Sequence, residues 1–192
     1  MGRPLRAEHP GGIYHVTSRG SNKEAIFLDD ADHRIFGALL GRYALRHRWI
    51  VLAWAEMPNH YHLLVQIPFG GLSRGMQLLN GGYAARFNHR HGRSAHVFRN
   101  RFFAGQIESE AHLIEAARYI VLNPVRAGLC ASPDRWPWSS YRASAGLTLA
   151  PPFLSVSALL RLFGRSPRVA SRLYREFVAM GHVPVSDTKH RV

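Results

Sequence analysis

With 192 residues, 46% of them hydrophobic, the chain is long enough for one domain with an appendage, or for two small domains. Its net charge of +13 at pH 7, carried mostly by arginine, favours a polyanionic partner, nucleic acid ahead of a membrane surface, although a GC-rich genome would also enrich arginine. Cys130 is the single cysteine, which excludes an intramolecular disulfide; without an apolar run of membrane-spanning length or a signal-peptide core, we expect a cytoplasmic, nucleoid-associated protein.

The first half of the chain alternates between strand and helix patterns. Residues 13–19 alternate in polarity and are rich in strand-forming side chains, so they predict the first strand. Asp29 or Asp30 can cap the helix that follows, in which apolar residues recur at helical spacing. Residues 49–55 and 60–67 then predict an antiparallel hairpin.

The second half of the main fold predicts two more helices and a fourth strand. Residues 72–88 have helical spacing, and residues 98–107 predict a strand. Ser109 can cap a third helix, which we expect to end or kink at Asn123 because Pro124 follows. The order β-α-β-β-α-β indicates an α+β fold with a ferredoxin-like antiparallel sheet, beside which the third helix packs.

The character of the chain changes after its paired prolines, Pro151 and Pro152. We expect residues 1–145 to form the main domain and residues 146–192 to form a helical C-terminal appendage, with two short helices broken at Gly164. Arginines occupy one side of the second of these helices, which could contact DNA or could be a solvated helix face.

Two histidines flank one tyrosine at the start of the third predicted strand. Because strand side chains alternate, His60 and His62 project from one face and Tyr61 from the other. Two imidazoles on one face can bind a single divalent cation, but two histidines on a solvated sheet face are an equal alternative. A second H-x-H pair, His89 and His91, lies in a stretch without a strand pattern, so nothing fixes its geometry.

The most basic stretch of the chain interleaves arginines with aromatic rings. Cations can contact phosphates while bases stack on rings, so the pattern suits single-stranded nucleic acid; the alternative is an exposed loop leading into a strand with buried phenylalanines. On the first strand one of Tyr14 and His15 must be buried, and either could contact DNA. The arginines that we predict to bind nucleic acid here are Arg86, Arg90, Arg93, Arg99 and Arg101.

A tyrosine faces away from the apolar stripe of the third helix. Tyr119 and Asn123 are four residues apart and share this face, which the strand carrying the histidines can approach in a ferredoxin-like arrangement. A metal held by two histidines and a polar third ligand could orient a phosphodiester, and the tyrosine hydroxyl could attack phosphorus. Tyr83 is the rival nucleophile, but it falls on an apolar helix face and we expect it in the core.

Five motifs, in order over roughly residues 9–143, resemble those of the REP-associated tyrosine transposases. These proteins are domesticated relatives of the small HUH transposases that move single-stranded insertion sequences. The motifs are Ile-Tyr-His-Val-Thr at 13–17, Met-Pro-Asn-His-Tyr-His-Leu-Leu-Val at 57–65, Phe-Arg-Asn-Arg-Phe at 98–102, Arg-Tyr-Ile-Val-Leu-Asn-Pro-Val-Arg-Ala-Gly at 118–128 and Trp-Pro-Trp-Ser-Ser-Tyr at 136–141. The set is far more specific than one H-x-H pair.

The resemblance implies a role for each candidate residue. His60 and His62 would be metal ligands, Asn123 a third ligand of the amide type, Tyr119 the nucleophile, and Arg126 a contact for substrate phosphate. It also implies Mg²⁺ or Mn²⁺, a single-stranded DNA hairpin of the repetitive extragenic palindrome type as partner, and a 5′-phosphotyrosine intermediate. Such proteins act as monomers or homodimers.

One position departs from the pattern of the family. Glu56 stands where relatives are expected to have a hydrophobic strand residue; we expect a strand-end carboxylate in water, ahead of an extra ligand or a base.

Three functions follow from the sequence: a metal-dependent DNA endonuclease and strand transferase acting through Tyr119, a non-catalytic module that binds nucleic-acid hairpins, and a metal-dependent hydrolase that uses water. The intact set of His60, His62 and Tyr119 favours the first.

Overall fold

A computed structural model describes residues 8–181, which form a four-stranded antiparallel sheet and six helices. The strand order is β2-β3-β1-β4, which is the order of a ferredoxin-like sheet, so the predicted α+β fold class is confirmed. The elements are β1 Ile13–Arg19, α1 Asp30–Arg46, β2 Ile50–Met57, β3 His60–Gln66, α2 Leu72–His91, β4 Phe103–Ile107, α3 Glu110–Arg126, α4 Tyr141–Ser144, α5 Val156–Leu160 and α6 Pro167–Met180.

Side-chain caps fix the start of two of the helices. The Asp29 carboxylate accepts hydrogen bonds from the backbone N–H groups of Ala31 and Asp32 at the start of α1. The Ser109 hydroxyl accepts from the N–H of His112 at the start of α3. Each cap satisfies N–H groups that lack a partner within the helix, and both caps were predicted from the sequence.

The sheet separates two hydrophobic cores. One core lies under α1 and α2 and contains Phe36, Tyr61 and Tyr83, all fully buried. The other lies under α3 and includes side chains from α5 and α6, among them Leu159 and Tyr174. The side chains of consecutive β3 residues therefore point toward different sides of the sheet. The expected core position of Tyr83 is confirmed.

Helix α2 passes unusually close to the start of β2. A side chain at Gly75 would collide with the ring of Trp49, so glycine is what allows the close packing there. The helix continues to His91, three residues beyond the predicted end, and closes on Gly92 in a left-handed conformation.

Further differences from the sequence-based expectation concern the end of α3 and the start of β4. Helix α3 continues through Asn123 and Pro124 to Arg126, so the expected end or kink at Asn123 was wrong. Pro124 is buried, and packing of this helix outweighs the local preference against a helical residue before proline. Strand β4 begins at Phe103 rather than residue 98, because Phe98 makes only an isolated bridge to Gly20.

Glu56 is buried, and the expectation that it lies in water was wrong. It pairs in register with Tyr61, so its side chain lies on the sheet face opposite His60. Only 2% of it is exposed, and its Oε2 is 2.7 Å from Nδ1 of His33, whose ring is stacked between those of Phe27 and Trp138. Burial raises the pKa of Glu56 well above its ordinary value and lowers the pKa of His33 to about 4, and both shifts favour the neutral form of the group.

The described part of the C-terminal appendage packs against the main fold. Val178 of α6 is buried in the core under α3, and the Arg118 guanidinium lies 4.4 Å from the ring centroid of Phe177. The division of the chain into two domains at residue 145 stays a prediction. Within residues 8–181, no helix combines the length and the hydropathy needed to cross a membrane.

Candidate active site

The predicted nucleophile, the predicted metal ligands and Arg126 line one cavity of about 430 Å³ between the sheet and α3. Strand β3 contributes His60 and His62, and α3 contributes Tyr119, Asn123 and Arg126. The other residues that line it are Thr17, Arg19, Met57 and Ala127.

Regular strand and helix geometry brings these side chains together. In the antiparallel register Thr17 pairs with His62 and Arg19 with His60, so β1 and β3 present four polar side chains to one face. Tyr119 and the residues four and seven positions later recur on one side of α3, which packs over this face.

Both histidines of β3 are held by a neighbouring side chain. Nδ1 of His60 is 2.7 Å from Oδ1 of Asn59, and Nδ1 of His62 is 2.9 Å from Nε2 of His15. Nε2 of His62 is buried and has no hydrogen-bond partner. Each histidine thus has one nitrogen engaged by the protein, and the second nitrogen of His62 is left without a partner.

The two imidazoles are neutral at pH 7. Burial, assisted by the charge of Arg19, lowers the pKa of His60 to about 4. Burial and then the charges of neighbouring histidines and of Arg19 lower the pKa of His62 to about 3. A neutral ring keeps a lone pair, which is the form that binds a metal ion.

Tyr119 lies between the histidines and an arginine. Its side chain is 42% exposed, and its ring centroid is 5.8 Å from that of His62, in an edge-on contact. The guanidinium carbon of Arg126 is 5.5 Å from the same ring. Asn123 donates from Nδ2 to the backbone oxygen of Tyr119 at 2.9 Å, which leaves its Oδ1 as an acceptor.

These residues fit a divalent cation. The unpartnered Nε2 of His62, a second neutral imidazole and an amide oxygen on one cavity wall form a mixed nitrogen and oxygen donor set. Between residues 8 and 181 no cluster of three or more histidine, cysteine, aspartate or glutamate side chains could hold a metal, and the amide oxygen of Asn123 is the candidate third ligand here.

The other predicted DNA-binding arginines lie outside this cavity. Arg90 contacts the carboxylates of Asp29 and Asp32, and Arg93 contacts Glu24. Arg86 donates to a backbone oxygen of its own helix, whereas Arg99 and Arg101 are exposed. The role of all five in binding nucleic acid stays a prediction.

Three residues near the site were not among the predicted site residues: Thr17, Arg19 and His15. All three alternate along β1, and the residues between them, Val16 and Ser18, are buried, as is Tyr14 before them. Their period-two spacing in the first strand was the available signal, but it becomes informative only once β1 is known to pair with β3.

Comparisons with known proteins concern the family and the fold of the chain. The family model described as "Transposase IS200 like" matches residues 10–123, whereas no curated protein matches the chain. The solved structure of a REP-associated tyrosine transposase bound to a REP hairpin is 20% identical, with 81% of this chain and 92% of that chain covered and a TM-score of 0.64. A candidate transposase from Deinococcus radiodurans R1 is 17% identical over 62% of this chain and 95% of that chain, with a TM-score of 0.44.

The likeness to the hairpin-bound structure supports the fold, and the family match carries the assignment. That match covers more than half of the chain and includes both histidines of β3, Tyr119 and Asn123. A transposase-like function in DNA processing follows from it. The chain belongs to the IS200-like transposase family.

Proposed function

We propose that this protein is a metal-dependent single-stranded DNA endonuclease and strand transferase that acts through Tyr119. The observation that carries the proposal is that Tyr119, His60, His62, Asn123 and Arg126 line the same cavity, although they come from two elements far apart in sequence. A nucleophile, candidate metal ligands and a phosphate-binding cation within one cavity are the parts that phosphodiester transfer requires.

The covalent step transfers a phosphoryl group from DNA to the enzyme. The Tyr119 hydroxyl oxygen attacks phosphorus and loses its proton, while the bond from phosphorus to the 3′-oxygen breaks and that oxygen gains a proton. The products are a 5′-phosphotyrosine and a free 3′-hydroxyl. Attack by another 3′-hydroxyl reverses the chemistry, rejoins a strand and releases the tyrosine, so no external energy source is needed.

The surrounding residues have distinct tasks. His60, His62 and Asn123 would hold Mg²⁺ or Mn²⁺, and a cation bound there polarises a phosphoryl oxygen and neutralises developing charge. Arg126, beside the Tyr119 ring, would hold the substrate phosphate through charge-assisted hydrogen bonds.

The substrate that we propose is a DNA single strand folded into a short palindromic hairpin. The net charge of +13 supports a polyanionic substrate, and the structural neighbour is bound to a REP hairpin. Tyr119 is partly exposed in an open cavity, so a single strand can reach it without a domain movement.

The experiment is to trap the covalent intermediate. The protein is incubated with Mn²⁺ and an end-labelled single-stranded hairpin that carries a palindromic repeat of the host, and the products are separated on denaturing gels. We expect a labelled DNA–protein adduct in the wild type and none with Tyr119→Phe, because the substitution removes only the nucleophilic oxygen.

Tyr83→Phe is the matched control, since Tyr83 is fully buried on the other face of the sheet. It should leave the adduct intact. An adduct that survives Tyr119→Phe would assign the nucleophile elsewhere. Cleavage without an adduct would indicate attack by water, and tight hairpin binding without cleavage would favour a non-catalytic binding protein.

A further inference from the structure

A third histidine ring, that of His15, contacts both proposed functional groups of the cavity. Its Nε2 lies 2.9 Å from Nδ1 of His62, and its ring centroid is 5.9 Å from that of Tyr119 in an edge-on contact. His15 comes from β1, where it pairs with Leu64 of β3 and Gly105 of β4, so its ring reaches diagonally along the sheet to His62.

A hydrogen bond between the two rings requires a proton on one of the facing nitrogens, Nε2 of His15 or Nδ1 of His62, and a lone pair on the other. If Nδ1 of His62 carries the proton, it donates to His15 and leaves Nε2 of His62 as a bare lone pair. If Nε2 of His15 carries the proton instead, Nδ1 of His62 accepts it, and Nε2 of His62 then carries a hydrogen that cannot bind a metal.

The environment of His62 decides between these two arrangements. Its Nε2 is buried and has no hydrogen-bond acceptor in the described part of the chain. A buried N–H without an acceptor is costly, and a bare nitrogen in that place can instead serve as a ligand. The unpartnered nitrogen therefore favours the arrangement in which His62 donates to His15.

We propose that His15 is a positioning residue: it accepts the Nδ1 proton of His62 and thereby holds His62 in the tautomer whose bare Nε2 can bind a cation. The metal part of this inference rests on the proposed function, but the tautomer itself is a property of the metal-free protein. The contact with Tyr119 places the same ring against the nucleophile, so His15 sets the relative positions of ligand and tyrosine.

The test begins with the tautomer of His62 in the metal-free protein. Long-range proton–nitrogen NMR correlations of ¹⁵N-labelled protein distinguish protonated from bare ring nitrogens, and the His62 signals are assigned by their loss in His62→Ala. We expect a proton on Nδ1 and a bare Nε2 in the wild type. His15→Phe keeps an aromatic ring beside Tyr119 but offers no acceptor, so the His62 tautomer should change or become mixed.

Two further variants separate the hydrogen bond from the packing. His15→Gln offers an amide oxygen and should restore the wild-type tautomer. His112→Leu changes an exposed histidine of α3 whose charge is near His15 and should change nothing. In Mn²⁺ titrations we expect affinity to fall about 10–100-fold in His15→Phe and to recover largely in His15→Gln. If His15→Phe does not fold, His15→Leu replaces it as the variant without a hydrogen-bond acceptor.

The outcomes separate this inference from the proposed function. A proton on Nε2 of His62 in the wild type, or an unchanged tautomer and unchanged Mn²⁺ affinity in His15→Phe, would overturn the role of His15 even if the Tyr119 adduct forms. Absence of both Mn²⁺ binding and adduct in the wild type would overturn the proposed function, and the tautomer measurement would still decide the inference.

Discussion

Two neighbouring residues of β3, Tyr61 and His62, differ in whether their buried polar atoms have hydrogen-bond partners. The Tyr61 hydroxyl donates to Oδ1 of Asn80 at 2.5 Å, and Asn80 in turn donates to the Ser18 hydroxyl at 3.1 Å. His62, one residue further along, has a buried Nε2 with no partner. The Tyr61 hydroxyl has its hydrogen-bond partner within the protein, whereas Nε2 of His62 has none and can bind a ligand. The first pattern is typical of a structural residue and the second of a ligand.

Two arginines repeat this contrast on opposite sides of the sheet. Arg90, on α2, contacts the carboxylates of Asp29 and Asp32, and Asp32 is fully buried. Arg126, on α3, lies over the Tyr119 ring and has no ion-pair partner in the part of the chain that the structure describes. The guanidinium of Arg90 is paired within the protein and serves the fold, whereas that of Arg126 lies beside the cavity without a carboxylate partner in the described residues and can bind an anion.

Substitutions at the two adjacent residues of β3 should therefore affect different properties, adduct formation at His62 and stability at Tyr61. His62→Ala removes a proposed metal ligand, and we expect formation of the DNA–protein adduct with Mn²⁺ to slow by about 10³-fold. Tyr61→Phe leaves the Asn80 oxygen without its donor and should lower the free energy of unfolding by about 1–3 kcal/mol with little change in adduct formation. Adduct kinetics and urea unfolding of both variants provide the comparison.

Similar losses of adduct formation in both variants would contradict this difference between Tyr61 and His62. If Tyr61→Phe slowed the adduct as much as His62→Ala while the protein stayed folded, the hydrogen-bond network around Asn80 would have to be part of the site. If His62→Ala kept wild-type adduct kinetics, His62 would not be a metal ligand.

The sequence predicted the parts of the site that depend on local periodicity. Alternation in β3 places His60 and His62 on one face, and helical spacing places Tyr119 and Asn123 together, both before any tertiary information. Arg19 could not be found in this way, because its place in the cavity depends on the pairing of β1 with β3, which are more than forty residues apart. Long-range strand pairing is not encoded in the pattern of one segment.

Glu56 illustrates a second limit. Its position at a strand end before Pro58 suggested an exposed carboxylate, but its partner His33 comes from α1 and the covering ring of Trp138 comes from the segment before α4. Burial of a carboxyl depends on such distant partners, which no local pattern reveals. The helical conformation of Asn123 before Pro124 similarly depends on packing of α3 against the sheet.

The pair of Glu56 and His33 should make the free energy of unfolding depend on pH. Because the pKa of Glu56 is raised in the folded state, its contribution is complete below the unfolded pKa of about 4.5 and is lost as pH rises toward the folded value. The pKa of His33 is lowered to about 4, so its contribution is complete above 6.5 and is lost as pH falls. The two effects oppose each other at acidic pH, and only that of Glu56 remains above pH 6.5.

Stability should therefore fall by up to about 1.4 kcal/mol per pH unit above about pH 6.5, until the pH reaches the raised folded pKa of Glu56. Glu56→Gln cannot ionise and can still donate to His33, so it should flatten this slope. Urea unfolding at several pH values measures it. An equal slope in the wild type and in Glu56→Gln would mean that the carboxyl is ionised in the folded protein.

The comparison of the two arginines gives the smallest expected effects. Arg126→Ala should weaken hairpin binding about tenfold and reduce the slope of log Kd against log salt by about 1, because one phosphate contact is lost. Arg90→Ala leaves the buried Asp32 without its guanidinium and should lower the midpoint of urea unfolding. Binding measured at several salt concentrations decides whether Arg90 also contacts DNA: a loss of salt slope in folded Arg90→Ala would show that an arginine paired within the protein can still serve the substrate. An unchanged slope in Arg126→Ala would contradict a phosphate contact beside Tyr119.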